Sequence, residues 1–405
     1  MLALPLGTRF ARDSSAQSEL DGKRAAQVCF DLPFWQQLSR ITVSDAIPWL
    51  PLQHLHSSAM RRPAFGPLLA VLLLLNLFAY PSHATPHKNT DLLIYSIDVE
   101  GGQATLLVSP SGGSLLVDTG WPGGSGRDAE RIQQAMKDAG ITQIDKVLIT
   151  HFHTDHVGGV PELVKRVKVG EFLDHGSNRE DSDITRKDFA AYVAAIGNTP
   201  RRTLRPGDVI DIPGLNTVVV TGDGEHLSSV PGVKPVANPD CSKEPKWTLD
   251  QSENPRSVGI LVRFGLFSFL DLGDLTKPRE IDLVCPNNPL GRVSLFLVSH
   301  HGLDQSNSKS LVDAIHPRAA IMNNGAHKGG SPQAWQTVAE SVGANNLFML
   351  HVAEGSDAAH NSAPEMIANP KGDGEGHYFK VAADGDGSFT VTNSRTGNTK
   401  KFPAK

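Results

Sequence analysis

The stretch His151-Phe152-His153-Thr154-Asp155-His156 places three imidazoles and one carboxylate within six residues. Burying such a group of polar side chains without a partner is costly. A divalent cation would supply the partner, because neutral nitrogen and anionic oxygen together suit zinc, and also manganese or iron. His151 and His153 alternate on an extended segment and are predicted to hold one ion. Asp155 and His156 follow and are predicted to hold a second.

The residues on either side of this hexapeptide favour a metal site over a polar loop with chance histidines. Residues 144–150 are apolar and rich in β-branched side chains, which is typical of a buried strand. Gly158-Gly159 and Pro161 come next, and residues 160–167 are predicted to be helical. The ligands are therefore expected in a loop at the C-terminal end of a strand, where open α/β sheets place their chemistry.

A strand, H-x-H-x-D-H and Gly-Gly in this order resemble the metallo-β-lactamase superfamily. Further pieces follow the family's order: the run 115–120 with Asp118, the run 269–275 with Asp274, and Ser299-His300-His301-Gly302. The last of these, with the following 306–308, is similar to the hydrolase domain of ComEC-like DNA-uptake proteins. The resemblance covers about residues 92–351.

This resemblance implies an α/β fold, a four-layer αββα sandwich of two mixed sheets, and a hydrolase with two divalent metal ions, zinc first. Asp274 would bridge the ions and Asp118 would orient a metal-binding histidine. The implied metal ligands are His151, His153, Asp155, His156, His175, Asp274 and His300. The implied catalytic residues are Asp118, Asp155, His301 and His351.

Some of these assignments leave alternatives open. The third ligand of the first metal is expected to be His175, which follows a predicted strand, with His226 as the alternative. His300 is preferred over the adjacent His301 as a ligand. Many ComEC-like domains carry Gly-His-Pro where this chain has Gly330-Ser331-Pro332, so the acid for the leaving group would be His301 or His351.

The branch resemblance favours a phosphodiester substrate, attacked by a hydroxide that the two metals activate. An ester, lactone or β-lactam is the main alternative; a mononuclear iron oxidoreductase and a binding protein with a structural metal are others. The substrate is expected to be a small molecule or a polymer. The net charge is −5 and the isoelectric point is about 6.3, without a basic run. Nucleic acid is therefore expected only as a substrate.

The N-terminal region has the pattern of a secretory signal peptide. Met60-Arg61-Arg62 precedes an apolar run, and Ser82-His83-Ala84 offers small residues for cleavage. We predict an upstream extension (1–59), a signal peptide (60–84) and one hydrolase domain (85–405). The mature protein would be exported, periplasmic or extracellular, and not stably inserted in a membrane. A membrane anchor with a cytoplasmic tail is the alternative.

Two cysteines remain after such a leader is removed, Cys241 and Cys285, and an exported protein is predicted to pair them. Cys241 lies in a long segment, 221–257, that shows no helical or strand periodicity. A loop of that length is usually functional or disordered. The predicted disulfide would tether it.

Overall fold

A computed structural model describes residues 90–372 and 374–404. The predicted upstream extension and signal peptide, with their boundaries, lie outside these residues. No helix in the described part of the chain is long and apolar enough to cross a bilayer. The residues described all belong to one unit, His83–Lys405.

Within residues 90–372 and 374–404, twenty strands alternate with seven helices. In chain order the strands are β1 Leu92–Ser96, β2 Thr105–Val108, β3 Ser114–Val117, β4 Gln143–Leu148, β5 Lys168–Asp174, β6 Arg201–Thr203, β7 Val209–Ile210, β8 Asn216–Gly222, β9 Glu225–His226, β10 Val236–Ala237, β11 Gly259–Phe264, β12 Phe267–Asp271, β13 Asn287–Asn288, β14 Leu295–Leu297, β15 Ala319–Met322, β16 Leu347–His351, β17 Ile367–Asn369, β18 Phe379–Ala383, β19 Phe389–Asn393 and β20 Thr399–Phe402. The helices are α1 Arg127–Ala139, α2 Thr154–Val157, α3 Val160–Leu163, α4 Asp183–Ile196, α5 Lys277–Val284, α6 Lys309–Ile315 and α7 Pro332–Val342.

Two large sheets, both mixed, form the centre of the fold. The first has the order β20-β19-β18-β1-β2-β3-β4-β5-β6 and is parallel from β3 to β6. The second has the order β17-β16-β15-β14-β12-β11-β8-β7, with β9 beside β8, and is parallel from β12 to β17. A short third sheet pairs β10 with β13.

Three apolar clusters show how the layers pack. The middle cluster joins side chains of both large sheets, such as Leu115 and Leu148 with Phe269 and Leu297. One outer cluster packs the first sheet against helices that include α1 and α4, and the other packs the second sheet against α5, α6 and α7. This is the predicted αββα sandwich of two mixed sheets, and the fold class is confirmed.

Local sequence rules account for many element boundaries. Helix α1 lies where its apolar spacing predicts, with Ile132 and Met136 buried. It ends because Gly140 adopts the left-handed conformation, with φ of 75°, and donates its N–H to the carbonyl of Lys137. The predicted helix over 160–167 is shorter, since α3 ends at Leu163. The last three residues of the hexapeptide belong to a helical turn, Thr154–Val157, and not to a loop.

The predicted disulfide is confirmed. Cys241 and Cys285 are bonded, with their Cα atoms 5.8 Å apart. The bond fastens the segment between β9 and β11 to the end of α5. The predicted irregular segment, 221–257, is mostly irregular, apart from the end of β8, the short strands β9 and β10 and two 3-10 turns.

Candidate metal centre

The polar residues that the sequence singled out lie at one edge of the sandwich, where parallel strands of both sheets end. Asp118 follows β3 and His151 follows β4 in the first sheet. Asp274 follows β12 and His301 follows β14 in the second sheet. Because parallel strands end at the same edge, four separate loops bring these side chains together.

Asp274 lies at the centre of the cluster. Its Oδ2 is 3.2 Å from His156 Nε2, 3.3 Å from His301 Nε2 and 3.9 Å from His151 Nε2. The other oxygen, Oδ1, is buried without a hydrogen-bond partner in the described residues. One carboxylate thus faces imidazoles from both sheets. This is the position expected of a ligand shared by two cations.

Four buried residues have ligand atoms that all lie within 4.8 Å of one another: Asp155, His156, Asp274 and His301. The Nε2 atoms of the two histidines are 3.2 Å apart and face each other. Two imidazole nitrogens and two carboxylate oxygens form a donor set that suits zinc, manganese or iron. The residues present therefore fit a divalent cation.

The charges in this group are strongly coupled. Burial by itself would raise the pKa of Asp155, but the neighbouring charges of His156 and Lys328 hold it well below its usual range. Burial by itself would lower the pKa of His156, but the carboxylates of Asp274 and Asp155 raise it well above the ordinary value. The environment therefore favours anionic carboxylates and, paired with them, a protonated His156, whose proton a bound cation would displace.

His151 and His153 form a second pair of donors beside Asp274. His151 Nε2 is 3.0 Å from His153 Nδ1. The outer nitrogen of His151, Nδ1, is 3.1 Å from Thr150 Oγ1, and His153 Nε2 is 2.8 Å from Glu180 Oε2. Each ring is held at one nitrogen and presents the other to its neighbour. The two rings thus lie next to each other, as the sequence predicts, but outside the four-residue group.

Asp118 makes the contact expected of an orienting carboxylate. Its Oδ2 is 2.7 Å from His156 Nδ1 and also accepts a 2.7 Å hydrogen bond from Thr150 Oγ1. Asp118 has φ of 60°, a left-handed conformation that is uncommon outside glycine. Such local strain persists only where surrounding contacts impose it. Asp118 thereby aims His156 Nε2 at the cluster.

The preference for His300 over His301 is not supported. His301 is fully buried and its Nε2 lies 3.0 Å from Asp155 Oδ2. His300 Nε2 lies 3.5 Å from Asp274 Oδ2, and its Nδ1 is 3.2 Å from Ser306 Oγ. Burial lowers the pKa of His300 to about 4. Both residues have φ of 54°, so the chain turns sharply and only His301 joins the four-residue group.

His175 is not brought into the cluster either. Its Nε2 is 2.8 Å from Glu253 Oε2, and its ring packs 4.6 Å from the Phe152 ring centroid. The alternative, His226, is exposed on β9. Neither residue is therefore placed as the third ligand of the first metal. The reason is Glu253, a buried carboxylate that takes His175 as its partner.

His351 also makes its side-chain contact outside the cluster. It is fully buried, and its Nε2 is 2.7 Å from Asp98 Oδ1. Arg131 lies 3.1 Å from the other oxygen of Asp98. His351 is thus part of a buried ionic group that joins the two sheets, and this placement does not support a role as an acid for a leaving group. The role of His301 as that acid is untested.

Three residues near the cluster were missed by the sequence analysis: Glu180, Glu253 and Lys328. Glu180 and Glu253 hold His153 and His175, and the Glu180 carboxylate also accepts the Glu253 N–H at 3.0 Å. Lys328 Nζ contacts Asp155 Oδ2. None of them belongs to a motif. Only Glu253 had a signal in the sequence: it lies in 221–257, a segment too long to be a simple connection between two strands.

Comparison with known proteins agrees with this geometry. The family model described as the metallo-beta-lactamase superfamily matches residues 97–237. Recombination protein 2 of Haemophilus influenzae is 25% identical over 266 residues, 65% of this chain and 27% of that protein. ComE operon protein 3 of Bacillus subtilis is 23% identical over 265 residues, 62% of this chain and 30% of that protein. The chain thus spans less than a third of the length of either relative.

A shorter match has a higher sequence identity. An atrochrysone carboxyl ACP thioesterase of Pseudocercospora fijiensis is 42% identical over 64 residues, which are 16% of this chain and 18% of that protein. The fold, the clustered histidines and carboxylates, and the matches to the family model and the two long relatives agree with one another. Residues 97–237 match the model of the metallo-β-lactamase superfamily, and over about two thirds of its length the chain is similar to ComEC-like proteins.

Proposed function

We propose that this protein is a metal-dependent hydrolase that binds two divalent cations and cleaves a phosphodiester. The observation that carries the proposal is the position of Asp274. Its Oδ2 lies within 3.9 Å of His151 on one side and at 3.2 Å from His156 on the other. One carboxylate is thereby available to two groups of nitrogen donors, which supports a site for two cations.

Different residues of the protein would hold the two cations. His151 and His153 would hold one cation, and Asp155, His156 and His301 the other, with Asp274 shared. The cations, when bound, lower the pKa of water and offset negative charge that develops on oxygen. Asp118 and Thr150 fix the ring of His156, and Glu180 fixes His153. These contacts keep the ligand nitrogens aimed inward.

A phosphodiester is favoured over other substrates by the two long relatives, one of which is named as a recombination protein. An ester is the second candidate, because the short match to a thioesterase has the higher identity. The scaffold alone does not choose between these chemistries. The net charge of −5 favours nucleic acid as a transient substrate over nucleic acid as a stable partner.

Export is part of the proposal, and the disulfide supports it. Cys241 and Cys285 are bonded, and such bonds persist in oxidising compartments such as a periplasm or the extracellular space. Zinc is the proposed metal, with manganese and iron as alternatives. Comparing the mass of the protein secreted by its host with that of the full chain would test the cleavage expected after residue 84.

The activity test is hydrolysis of bis(p-nitrophenyl) phosphate by protein loaded in turn with zinc and manganese. p-Nitrophenyl acetate and a chromogenic β-lactam would be assayed beside it. We expect the wild type to hydrolyse the phosphodiester and Asp155→Ala to lose this activity. Asp145→Ala should keep the activity, because Asp145 lies at the other end of β4. If protein carrying two metals hydrolyses only the ester or the lactam, the assignment of a phosphodiester substrate is refuted. The assignment as a hydrolase would then still stand.

A further inference from the structure

Lys328 lies at the edge of the metal centre, although no motif predicts it. Its Nζ contacts Asp155 Oδ2, the same oxygen that lies 3.0 Å from His301 Nε2. Among residues 90–372 and 374–404, no other lysine or arginine pairs with Asp155 or Asp274. Lys328 is three residues before Ser331, which stands where many ComEC-like domains carry a histidine.

The loop that carries Lys328 is clamped onto the loop of His301. Gly330 N–H donates to the His301 carbonyl at 2.9 Å, and Ser331 N–H donates to the Gly302 carbonyl at 2.9 Å. The Lys328 carbonyl itself accepts a 2.8 Å hydrogen bond from Gly325 N–H. The backbone is therefore fixed on both sides of Lys328, so its side chain starts from a defined point.

A glycine makes this close approach possible. Gly329 has φ of 82°, and a Cβ on it would lie 2.1 Å from the His301 carbonyl oxygen. A side chain at this position would push the loop away from His301 and withdraw Lys328 from the cluster. The sequence Lys-Gly-Gly thus serves to bring an ammonium group to the metal centre.

Trp121 supports the Lys328 side chain from the other direction. The ammonium lies 5.0 Å from the centroid of the Trp121 ring, within reach of a cation–π contact. Trp121 also lines an open cavity of about 230 Å³. Arg127 borders the same cavity, but it pairs with both Glu100 and Asp128. The Lys328 side chain is 31% exposed, so solvent reaches it while it contacts both Trp121 and Asp155.

An ammonium group has three N–H donors and no acceptor. Asp155 takes one donor, and the face of Trp121 offers attraction without accepting a conventional hydrogen bond. A donor therefore remains for an oxyanion that approaches from the exposed side of Lys328. A cation whose position is fixed by its neighbours attracts such an anion more strongly than a mobile ammonium group in water does.

We propose that Lys328 is a substrate-binding residue that holds an anionic oxygen of the substrate, which for a phosphodiester is a non-bridging oxygen of the phosphoryl group. The choice of phosphoryl oxygen depends on the proposed function; the oxyanion site itself does not. Lys328 acts as a fixed positive charge and donor, and no proton transfer is assigned to it.

Calorimetric titration with inorganic phosphate tests the proposal on zinc-loaded protein, in the wild type, Lys328→Met and Lys328→Arg. Lys277→Met is the matched control, because Lys277 also packs on a tryptophan, with its Nζ 4.4 Å from the Trp247 ring centroid. We expect Lys328→Met to weaken phosphate binding about tenfold, as loss of one charge-assisted hydrogen bond would do. Lys328→Arg should recover most of the affinity, and Lys277→Met should keep all of it.

Bound zinc is measured by mass spectrometry on the same samples. Unchanged phosphate affinity in Lys328→Met, with two zinc ions bound, would overturn the proposal. Loss of zinc in Lys328→Met would also overturn it, because Lys328 would then act by positioning Asp155. Weakened phosphate binding in a protein that hydrolyses no phosphodiester would refute the proposed function and leave the oxyanion site standing.

Discussion

Asp118 Oδ2 and His156 Nδ1 lie 2.7 Å apart, and both side chains are fully buried. The contact fixes which nitrogen of His156 faces Asp155, Asp274 and His301. Asp118 is in turn held by the backbone N–H of Thr150 at 2.8 Å and by its hydroxyl at 2.7 Å. The end of β3 thereby sets the direction of a ligand that follows β4.

Replacing Asp118 by asparagine should lower metal affinity about 10- to 100-fold, because the imidazole loses its anionic partner. Asparagine tolerates the positive φ of this position, so the backbone should stay in place. Competition with a chromophoric chelator measures the affinity. Asp145→Asn, the same change at the distant end of β4, should leave it unchanged. Equal affinity in both variants would contradict the orienting role.

His301→Ala and His300→Ala separate the two adjacent histidines. His301 Nε2 faces the other ligands of the four-residue group, whereas His300 stands outside it. We expect His301→Ala to lose about one equivalent of metal after gel filtration and His300→Ala to keep two, since fewer protein donors would remain at the second cation. Metal content by mass spectrometry gives the answer. The reverse order would restore His300 as the ligand.

The sequence predicts those parts of the centre that follow directly from strand ends. Asp118, His151 and Asp274 each come just after an apolar strand, and parallel strands of one sheet end at the same edge. Periodicity identifies the strands, so the positions of these three residues follow from it. The same reasoning predicts His175, which also follows a strand, but the structure pairs it with Glu253, 78 residues away.

Lys328 shows a second reason why local patterns are insufficient. Its place is fixed by backbone hydrogen bonds to the loop of His301 and by the lack of a side chain at Gly329. These are contacts between loops, and loops have no period from which pairing can be inferred. The choice between His300 and His301 has the same origin, since it depends on positive φ values that residue type does not indicate.

His175→Ala should leave both metals bound and destabilise the protein. His175 Nε2 is the partner of Glu253 Oε2, and both side chains are fully buried. Removing the imidazole leaves a buried carboxylate with fewer partners, at a cost of about 1–3 kcal/mol in the free energy of unfolding. Urea denaturation and metal analysis of the same sample test this. Loss of one metal at unchanged stability would make His175 a ligand.

Removing the disulfide should lower stability without changing the metal centre. The bonded cysteines are 44 residues apart, and closing a loop of this length is worth about 3–4 kcal/mol in the chain-entropy model. Cys241→Ser with Cys285→Ser should therefore shift the urea midpoint downward and retain two metals. When wild-type protein is denatured without a reductant, thiol titration should detect no free thiol group at Cys241 or Cys285. Two free thiols would contradict the bond.

Glu280 should make stability depend on pH. Its side chain is fully buried in α5 and accepts the N–H groups of Asn307 at 2.8 Å and Ser308 at 2.6 Å. Burial raises the pKa of Glu280 to about 7, above the ordinary glutamate value of 4.5. The folded state therefore holds this proton more tightly than the unfolded chain does. By linkage, the contribution of Glu280 to the free energy of unfolding is constant below about pH 4.5 and falls as pH rises to about 7.

Glu280→Gln removes this titration and keeps a side-chain oxygen for one of the two N–H groups. We expect the free energy of unfolding, measured by urea at pH 5 and pH 7.5, to fall less in Glu280→Gln than in the wild type. The difference should be on the order of 2 kcal/mol, since one pKa unit corresponds to about 1.4 kcal/mol and the titration is not complete within this pH range. Glu365→Gln, at an exposed position, should show the wild-type slope. If Glu280→Gln keeps that slope too, Glu280 ionises in the folded protein as freely as in the unfolded chain, and the burial argument fails.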